Sequence, residues 1–405
     1  MIKREHYLEQ IRPFIDKPLI KVLTGIRRSG KSAILMMLKG ELVQRGISPE
    51  NIIHINFESM EYSDMDNAKS LYDFVKSKIK NEFKYFVLLD EIQEVNSWEK
   101  AINSFMVDFN ADIYITGSNS KLLSSELATY IAGRYIEINI TPLSFKENLE
   151  FRKVLTGTGI SDNQKEFIRY LRFGGFPVIH TAEYSYEEAY KIINDIYASA
   201  ILRDIVQRNR IRNIELLERI VKYVFENIGN MFSAKKVSDY FKNQQRKIDI
   251  NTVYNYLDAL EGAFIIYRVP RYDLRGKEVL QTNEKYFLGD QGLKYAVMGY
   301  KDRDISGILE NIVFLELKRK GYQVYMGKFD DKEIDFVAEK KGKKIYVQVA
   351  YKLSEEAIVE REFGALLGLR DHYPKYVVTM EDFWQDNIEG VMHKNIAEFL
   401  LMDEY

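Results

Sequence analysis

Residues 25–32 read Gly25-Ile26-Arg27-Arg28-Ser29-Gly30-Lys31-Ser32, and this octapeptide satisfies G-x-x-x-x-G-K-[ST] at every specified position. The apolar run Leu19 to Thr24 before it reads as a strand, and the segment opening at Lys31 reads as a helix. Each residue type has a use in that setting. The glycines let the backbone turn tightly and bring N–H donors up to phosphates, while the positive end of the helix favours negative charge. Lys31 is then expected to reach the β- and γ-phosphates, and the Ser32 hydroxyl to ligate Mg²⁺. Gly25 to Ser32, with Ala33 beyond, form the expected nucleotide cradle, and ATP with Mg²⁺ is the expected ligand.

Around this loop, apolar strands alternate with amphipathic helices. Asn51 to Phe57, Tyr85 to Leu89, Asp112 to Thr116 and Tyr135 to Ile140 all read as strands, a pattern that implies a parallel sheet covered by helices on both faces. The strand Tyr85-Phe86-Val87-Leu88-Leu89 runs directly into Asp90 and Glu91. Open α/β sheets gather ligands at the carboxyl ends of their strands. Asp90 is therefore the candidate Mg²⁺ partner, and Glu91 the candidate base that polarises an attacking water. The fourth strand ends in Thr116-Gly117-Ser118-Asn119, where Ser118 or Asn119 is expected to sense the γ-phosphate or the water. Arg134 and Arg203 are candidates for an arginine that spreads positive charge over a transferred phosphoryl group.

The composition excludes several other chemistries. The 405 residues contain no cysteine, and the five histidines (His6, His54, His180, His372, His393) show no metal-ligand spacing, so thiolate catalysis and Cys-ligated zinc are set aside. With 46% hydrophobic and 29% charged residues the chain is globular and long enough for several cores. No apolar run approaches the roughly 20 residues that span a bilayer, and the N-terminus is unlike a signal peptide; a cytoplasmic protein with no membrane partner is expected. The net charge of −2 hides an uneven distribution. Ile201 to Leu280 carry fifteen Lys and Arg against ten Asp and Glu, which suits a polyanionic partner.

That basic stretch begins with a helix from Ile214 to Asn227, one opened by Ser233 and a third near Asn251 to Glu261. Strand-like pieces follow at Phe264 to Val269 and Lys285 to Leu288. Three short helices and a ribbon suggest a winged helix, with Thr252 to Leu260 as recognition element and Asn251 as its cap. Asn251, Tyr254 and Asn255 would face bases, while Lys235, Lys236, Arg246 and Lys247 would contact phosphates. Arg268, Arg271, Arg275 and Lys277 would lie on the wing.

Further on, a helix from Ser306 to Lys320 carries Glu310 and Glu316, a strand carries Glu333 and Asp335, and the next strand carries Gln348 and Ala350. A helix Glu, a strand Asp and an E-x-K strand form the metal site of many nucleases. Here that third element reads Gln348-x-Ala350. An amide is a poor ligand for a hard cation and alanine carries no charge, and Lys352 is displaced by roughly 6 to 7 Å along the strand. Glu310, Asp335 and Gln348 are expected to form a vestigial site that does not cleave.

These motifs in this order resemble the archaeal and bacterial AAA-type P-loop ATPases that carry a winged helix and a nuclease-like, PD-(D/E)xK-type C-terminal domain. The resemblance rests on Gly25 to Ser32, Leu88 to Glu94, Thr116 to Asn119, Ala132 to Phe145, the Gly174-Gly175-Phe176-Pro177 connector, and Leu309-Glu310-Asn311 followed by Glu333 to Val337. It implies an α/β fold in four parts: a P-loop ATPase domain over 1–148, a helical lid or connector over 149–204, a winged helix over 205–300 and a restriction-endonuclease-like domain over 301–405. It also implies hydrolysis by Lys31, Ser32, Asp90 and Glu91, with Arg134 acting conformationally or on another copy. Double-stranded DNA is the expected partner. A regulatory ATPase that binds a protein partner or a second copy is the alternative, and an active nuclease a third reading.

Overall fold

The computed structural model describes residues 2–120, 133–157, 159, 162–243, 248–299, 305–353, 355–382 and 387–405, without the side chains of 243 and 280–283. Two compact units divide the chain, Met1–Pro142 with Gly262–Phe264, and Leu143–Glu261 with Ile265–Tyr405.

In the first unit, β1 (Ile20–Thr24), β2 (Ile52–Asn56), β3 (Tyr85–Asp90), β4 (Ala111–Gly117) and β5 (Tyr135–Asn139) pair in the order β2-β3-β4-β1-β5. Every neighbouring pair is parallel. Successive side chains of a strand face opposite ways, so the unbroken apolar run of β3 supplies two cores at once. Phe86 and Leu88 pack with Leu23 and Tyr114 against the helix Lys31–Gln44 and against Tyr7, Leu8 and Ile11 of the helix Glu5–Ile11. Val87 and Leu89 pack with Val22, Ile113 and Ile115 against the helices Ala68–Lys78 and Trp98–Asp108. The chain goes from β1 to the far edge of the sheet and fills inward, so β4 separates the phosphate-loop strand from β3. All five carboxyl ends lie along one edge, with Thr24 level with Gly117 and Asn139, and Asn56 level with Asp90.

A charged pair sits deep in this sheet. Lys21 and Asp112 are ion-paired with their side chains at 0% and 1% exposure, and the remaining acceptor sites of Asp112 take the Tyr114 hydroxyl at 2.8 Å and the Asp16 backbone N–H at 2.8 Å. Burying a charge is tolerable only when it is paired and hydrogen-bonded in this way.

The second unit opens with the helices Phe145–Thr156, Asn163–Phe173 and Tyr186–Ser199, followed by a π-helix at Ala200–Gln207 that the sequence pattern did not indicate. Gly174 and Gly175 join the second helix to the turn before the third. Gly174 has φ +71°, and a Cβ there would lie 1.8 Å from the Asp290 carboxylate; one on Gly175 would lie 2.2 Å from the Leu143 carbonyl. Asp290 accepts the N–H groups of Gly175 and Gly292 at 2.7 and 2.8 Å. Burial holds His180 down to about 4, so the ring is neutral; it bonds the Gly174 carbonyl through Nε2 and Asn148 through Nδ1. The connector is thus clamped from three sides.

Helices Ile214–Glu226, Ala234–Asn243 and Ile250–Gly262 follow, near the expected bounds. Two details differ. Asn251 lies in the first turn of the third helix and does not cap it, because the backbone carbonyl of Asp249 already receives the N–H groups of Thr252 and Val253. The ribbon is also longer than its apolar content suggested. β6 (Ile266–Asp273) and β7 (Glu278–Leu288) pair antiparallel, and Arg271–Asp273 of β6 also pair in parallel with Met326–Lys328 of β8 (Gln323–Phe329). This hairpin is therefore the edge of an eight-stranded sheet. β9 (Lys332–Lys340), β10 (Lys343–Val349), β11 (Lys375–Thr379), β12 (Asn387–Ile388) and β13 (Val391–Asn395) complete it in the order β12-β13-β11-β10-β9-β8-β6-β7. Among the described residues no helix is long and apolar enough to cross a membrane.

Candidate functional site

The loop after β1 has the backbone that its glycines allow. Gly25 has φ +144° and Gly30 φ +101°, and a Cβ on Gly25 would stand 2.0 Å from the Ile140 carbonyl oxygen. Arg4 lies beneath the loop. The residue is 2% exposed, and its guanidinium donates to the carbonyls of Ser29 at 2.8 Å, Thr141 at 3.0 Å and Pro142 at 3.4 Å. Five fixed donors on a planar fork suit this task. Within the loop, Arg27 donates to Glu58 at 2.5 Å, while Arg28 is exposed with φ +66°.

Lys31 is buried. Its ammonium donates to the carbonyls of Gly25 at 3.0 Å and Ile26 at 3.3 Å, and stands 3.6 Å from the Glu91 carboxylate. Lys31, the exposed Ser32 and Ala33 start the helix whose N-terminus faces the loop. Asp90 ends β3 with its carboxylate bonded by the hydroxyls of Thr116, at 2.5 Å, and Ser32. Burial raises the Asp90 pKa, an effect that the two hydroxyls oppose, Glu91 adds to and Lys31 reduces. Glu91 adopts φ +56°, an uncommon conformation for a non-glycine residue. It is fixed by its own N–H, which donates to Thr116 Oγ1 at 2.9 Å, and by Gln93 Nε2, which donates to its carboxylate at 2.5 Å.

Thr116 thus holds both acids through one hydroxyl. The strand order explains how: β4 lies directly beside β3, so the side chain at its carboxyl end reaches Asp90 and Glu91 together at the end of that strand. The sequence pattern pointed along this segment to Ser118 and Asn119, which are buried just past the end of β4; the role of Thr116 follows only from the strand order. Arg4 gave no signal at all, being one basic residue in a polar N-terminal segment. These features fit a phosphate chain with a divalent cation. The loop is closed to side chains, an ammonium lies inside it, and a hydroxyl and a carboxylate that suit a hard cation are already in contact.

Arg134 is not brought to this edge. It precedes β5, its carbonyl accepts the N–H of Ile20, and it is exposed at the amino end of the sheet. The length of β1, about 13 Å at 3.3 Å per residue, separates that end from Thr24. Arg203 lies on the exposed side of the π-helix in the second unit.

Of the expected nucleic-acid contacts, Lys235 and Lys236 are exposed on Ala234–Asn243, and Asn251, Tyr254 and Asn255 are exposed on one face of the next helix. Arg246 and Lys247 lie outside the described residues. On the hairpin, Arg268 is bound to Asp258 at 2.6 Å and Glu261 at 3.4 Å, and Arg275 to Asp330 at 2.5 Å.

Glu310, Asp335 and Gln348 line one cavity of about 1030 Å³. Glu316 does not; it pairs with Arg319 at 2.5 Å. The sequence pattern missed the residue at the centre. Lys285 of β7, 3% exposed, places its ammonium 3.3 Å from Glu310, 2.5 Å from Glu333 and 3.5 Å from Asp335. Burial works against that charge, and the three carboxylates outweigh it and hold the lysine above its ordinary range. Burial, and then Asp335, push the Glu310 pKa up, and Lys285 opposes them. Gln348 accepts the N–H of Asp335 at 3.1 Å, and Asp335 Oδ2 accepts the N–H of Val349 at 2.9 Å. Among the described residues no group of three or more His, Asp or Glu is placed to hold a metal ion.

With that geometry established, the chain can be set beside known proteins. Residues 17–149 match the model of an AAA domain, and residues 164–304 match a domain of unknown function, DUF8612. An uncharacterized protein of Haemophilus influenzae is 40% identical over 99% of both chains. The uncharacterized protein MJ1544 of Methanocaldococcus jannaschii is 32% identical over 85% of this chain and 77% of its own. Among solved structures, a Walker-type ATPase of Pyrococcus abyssi superposes with a TM-score of 0.53 at 18% identity, covering 73% of this chain and 96% of that one. That likeness speaks for a shared fold.

Proposed function

The chain belongs to the family of these two uncharacterized proteins and carries its AAA domain at 17–149, and from that premise we propose that it is a Mg²⁺-dependent ATPase acting as a molecular switch on duplex DNA. One observation carries the reading: the phosphate loop, Asp90 and Glu91 meet at the carboxyl edge of one parallel sheet, with Lys31 3.6 Å from Glu91 and Thr116 bonded to both Asp90 and Glu91.

Gly25 to Ala33 cradle the phosphates, with backbone N–H groups and Lys31 as donors. Ser32 and Asp90 hold the cation, which neutralises charge on the phosphates when bound. Glu91 orients the attacking water and receives its proton, and the Lys31 ammonium stands 3.6 Å from its carboxylate. Asn119 senses the terminal phosphate. Arg134, exposed at the amino end of the sheet, acts conformationally or on a neighbouring copy.

Residues 205–300 serve as a winged helix, with Asn251, Tyr254 and Asn255 toward DNA bases and Lys235, Lys236, Arg246 and Lys247 toward its phosphates. Residues 301–405 form a nuclease-like unit without cleavage, with Glu310, Asp335 and Gln348 as remnants of the site. A protein partner is the second reading. It is favoured by the neutralisation of Arg268 by Asp258 and Glu261 on the face that would meet DNA.

ATP turnover of the purified chain, with and without duplex DNA, tests both. Lys31→Ala should abolish turnover, and unchanged turnover would overturn the assignment. Stimulation by duplex that fades steeply with salt supports DNA; indifference to duplex supports the protein partner.

A further inference from the structure

We propose that Lys285 is a built-in cation that fills the position a divalent metal would take among Glu310, Glu333 and Asp335, so that the cavity of the second unit excludes metal. The carboxylates come from the helix Ile305–Arg319 and from β9, whereas the ammonium comes from β7, at the edge of the same sheet. Its nitrogen lies between 2.5 and 3.5 Å from one oxygen of each acid. An ammonium has three N–H donors and no acceptor, and here three acids surround it. Of the other acceptors on the cavity wall, Asp335 Oδ2 takes the Val349 N–H, Gln348 Oε1 the Asp335 N–H and Glu362 Oε1 the Arg361 guanidinium, which leaves the buried Glu362 Oε2, among the described residues, as a lone carboxylate oxygen there.

A hard dication needs six or more oxygens at about 2.0 to 2.6 Å. In this cavity it would displace these bonds and stand within a few ångströms of a fixed positive charge. Like charges at that range repel strongly in a buried site. The absence of a nuclease-type lysine at Ala350 thus has a counterpart elsewhere in the sheet, since the cavity has its lysine from β7, at the metal's position instead of beside it. The consequence is a charge clamp that ties the β6–β7 hairpin to β9 and to the helix behind it, independent of ATP turnover and of how the fold arose.

The test uses the full chain without nucleotide or DNA and Mn²⁺ as the probe, read by the electron-paramagnetic signal of free Mn²⁺ and by thermal melting. Wild type and Asp335→Asn should bind Mn²⁺ alike. Lys285→Met, which keeps the length and removes the charge, should bind one additional Mn²⁺ at least about a hundredfold more tightly than wild type, and its melting point should rise with Mn²⁺. Lys285→Arg should gain nothing, and adding Asp335→Asn to Lys285→Met should remove the gain. Wild-type Mn²⁺ binding that Asp335→Asn abolishes would overturn the proposal, and so would a folded Lys285→Met that gains no site. If Lys285→Met does not fold, the comparison of wild type with Asp335→Asn still decides.

Discussion

Replacing Thr116 by valine keeps the shape of the side chain and removes one hydroxyl, and two acids lose their anchor together. In the native chain that hydroxyl donates to Asp90 at 2.5 Å and accepts the Glu91 N–H at 2.9 Å, with Asp90, Glu91 and Thr116 all buried. A hydrogen bond to a charged group contributes about 1.5 to 3 kcal/mol, and an orphaned buried N–H costs about 1 to 3 kcal/mol. Since the two share one atom they are not additive, and Thr116→Val should lower unfolding stability by about 3 kcal/mol. Glu91 holds φ +56° against a cost of about 1 kcal/mol or more for a non-glycine residue, so releasing its N–H lets the backbone relax and the carboxylate turn from its place. A loss of about 1.4 to 2.8 kcal/mol of orientation corresponds to turnover about ten- to a hundredfold slower. Urea unfolding and steady-state ATP hydrolysis on the same preparations measure both effects. Thr116→Ser, which retains the hydroxyl, should recover most of each. A valine variant as stable and active as wild type, or a serine variant as impaired as valine, would refute the bridging role.

Gly25→Ala should destabilise by more than about 3 kcal/mol, because its Cβ would stand 2.0 Å from the Ile140 carbonyl at φ +144°, and a backbone atom cannot swing aside; urea unfolding reads it. Lys21→Met should cost about 3 to 5 kcal/mol by leaving Asp112 charged and buried without its partner, and Lys21→Met with Asp112→Leu should recover much of that in the same assay. Burial pushes Asp290 up to about 7 against the opposing N–H groups of Gly175 and Gly292, so the folded state binds the proton more tightly than the unfolded state. Its contribution to stability is present at low pH and lost as pH rises from about 4 to 7. Asp290→Asn should therefore gain on wild type by about 4 kcal/mol across that window, whatever its offset, as chemical unfolding at a series of pH values would show.

The phosphate loop and Asp90-Glu91 were legible because local sequence determines them. A glycine-framed turn between strand and helix, and acids at the end of an apolar strand, need no knowledge of what lies alongside. Thr116, Arg4 and Lys285 were not, since each acts across the chain: Thr116 because β4 comes to lie between strands that precede it, Arg4 on Thr141 more than a hundred residues away, and Lys285 on a helix and a strand that follow it. The ribbon shows the same limit. Its antiparallel pairing was visible as two strand-like pieces, but an edge that pairs with Met326–Lys328 leaves no local mark, and neither does the pairing of Arg268 with Asp258 and Glu261.

The five-stranded sheet also has a consequence for synthesis. Its last strand ends at Asn139, whereas the eight-stranded sheet waits for β13 near the end of the chain. At about 5 to 20 residues per second, the nucleotide-binding sheet has all of its strands some tens of seconds before the other can close. The emerging phosphate loop can therefore meet ATP while the ribosome is still at work, and nucleotide bound at that stage would stabilise the first unit by mass action through the interval when the exposed β6–β7 edge is still waiting for β8.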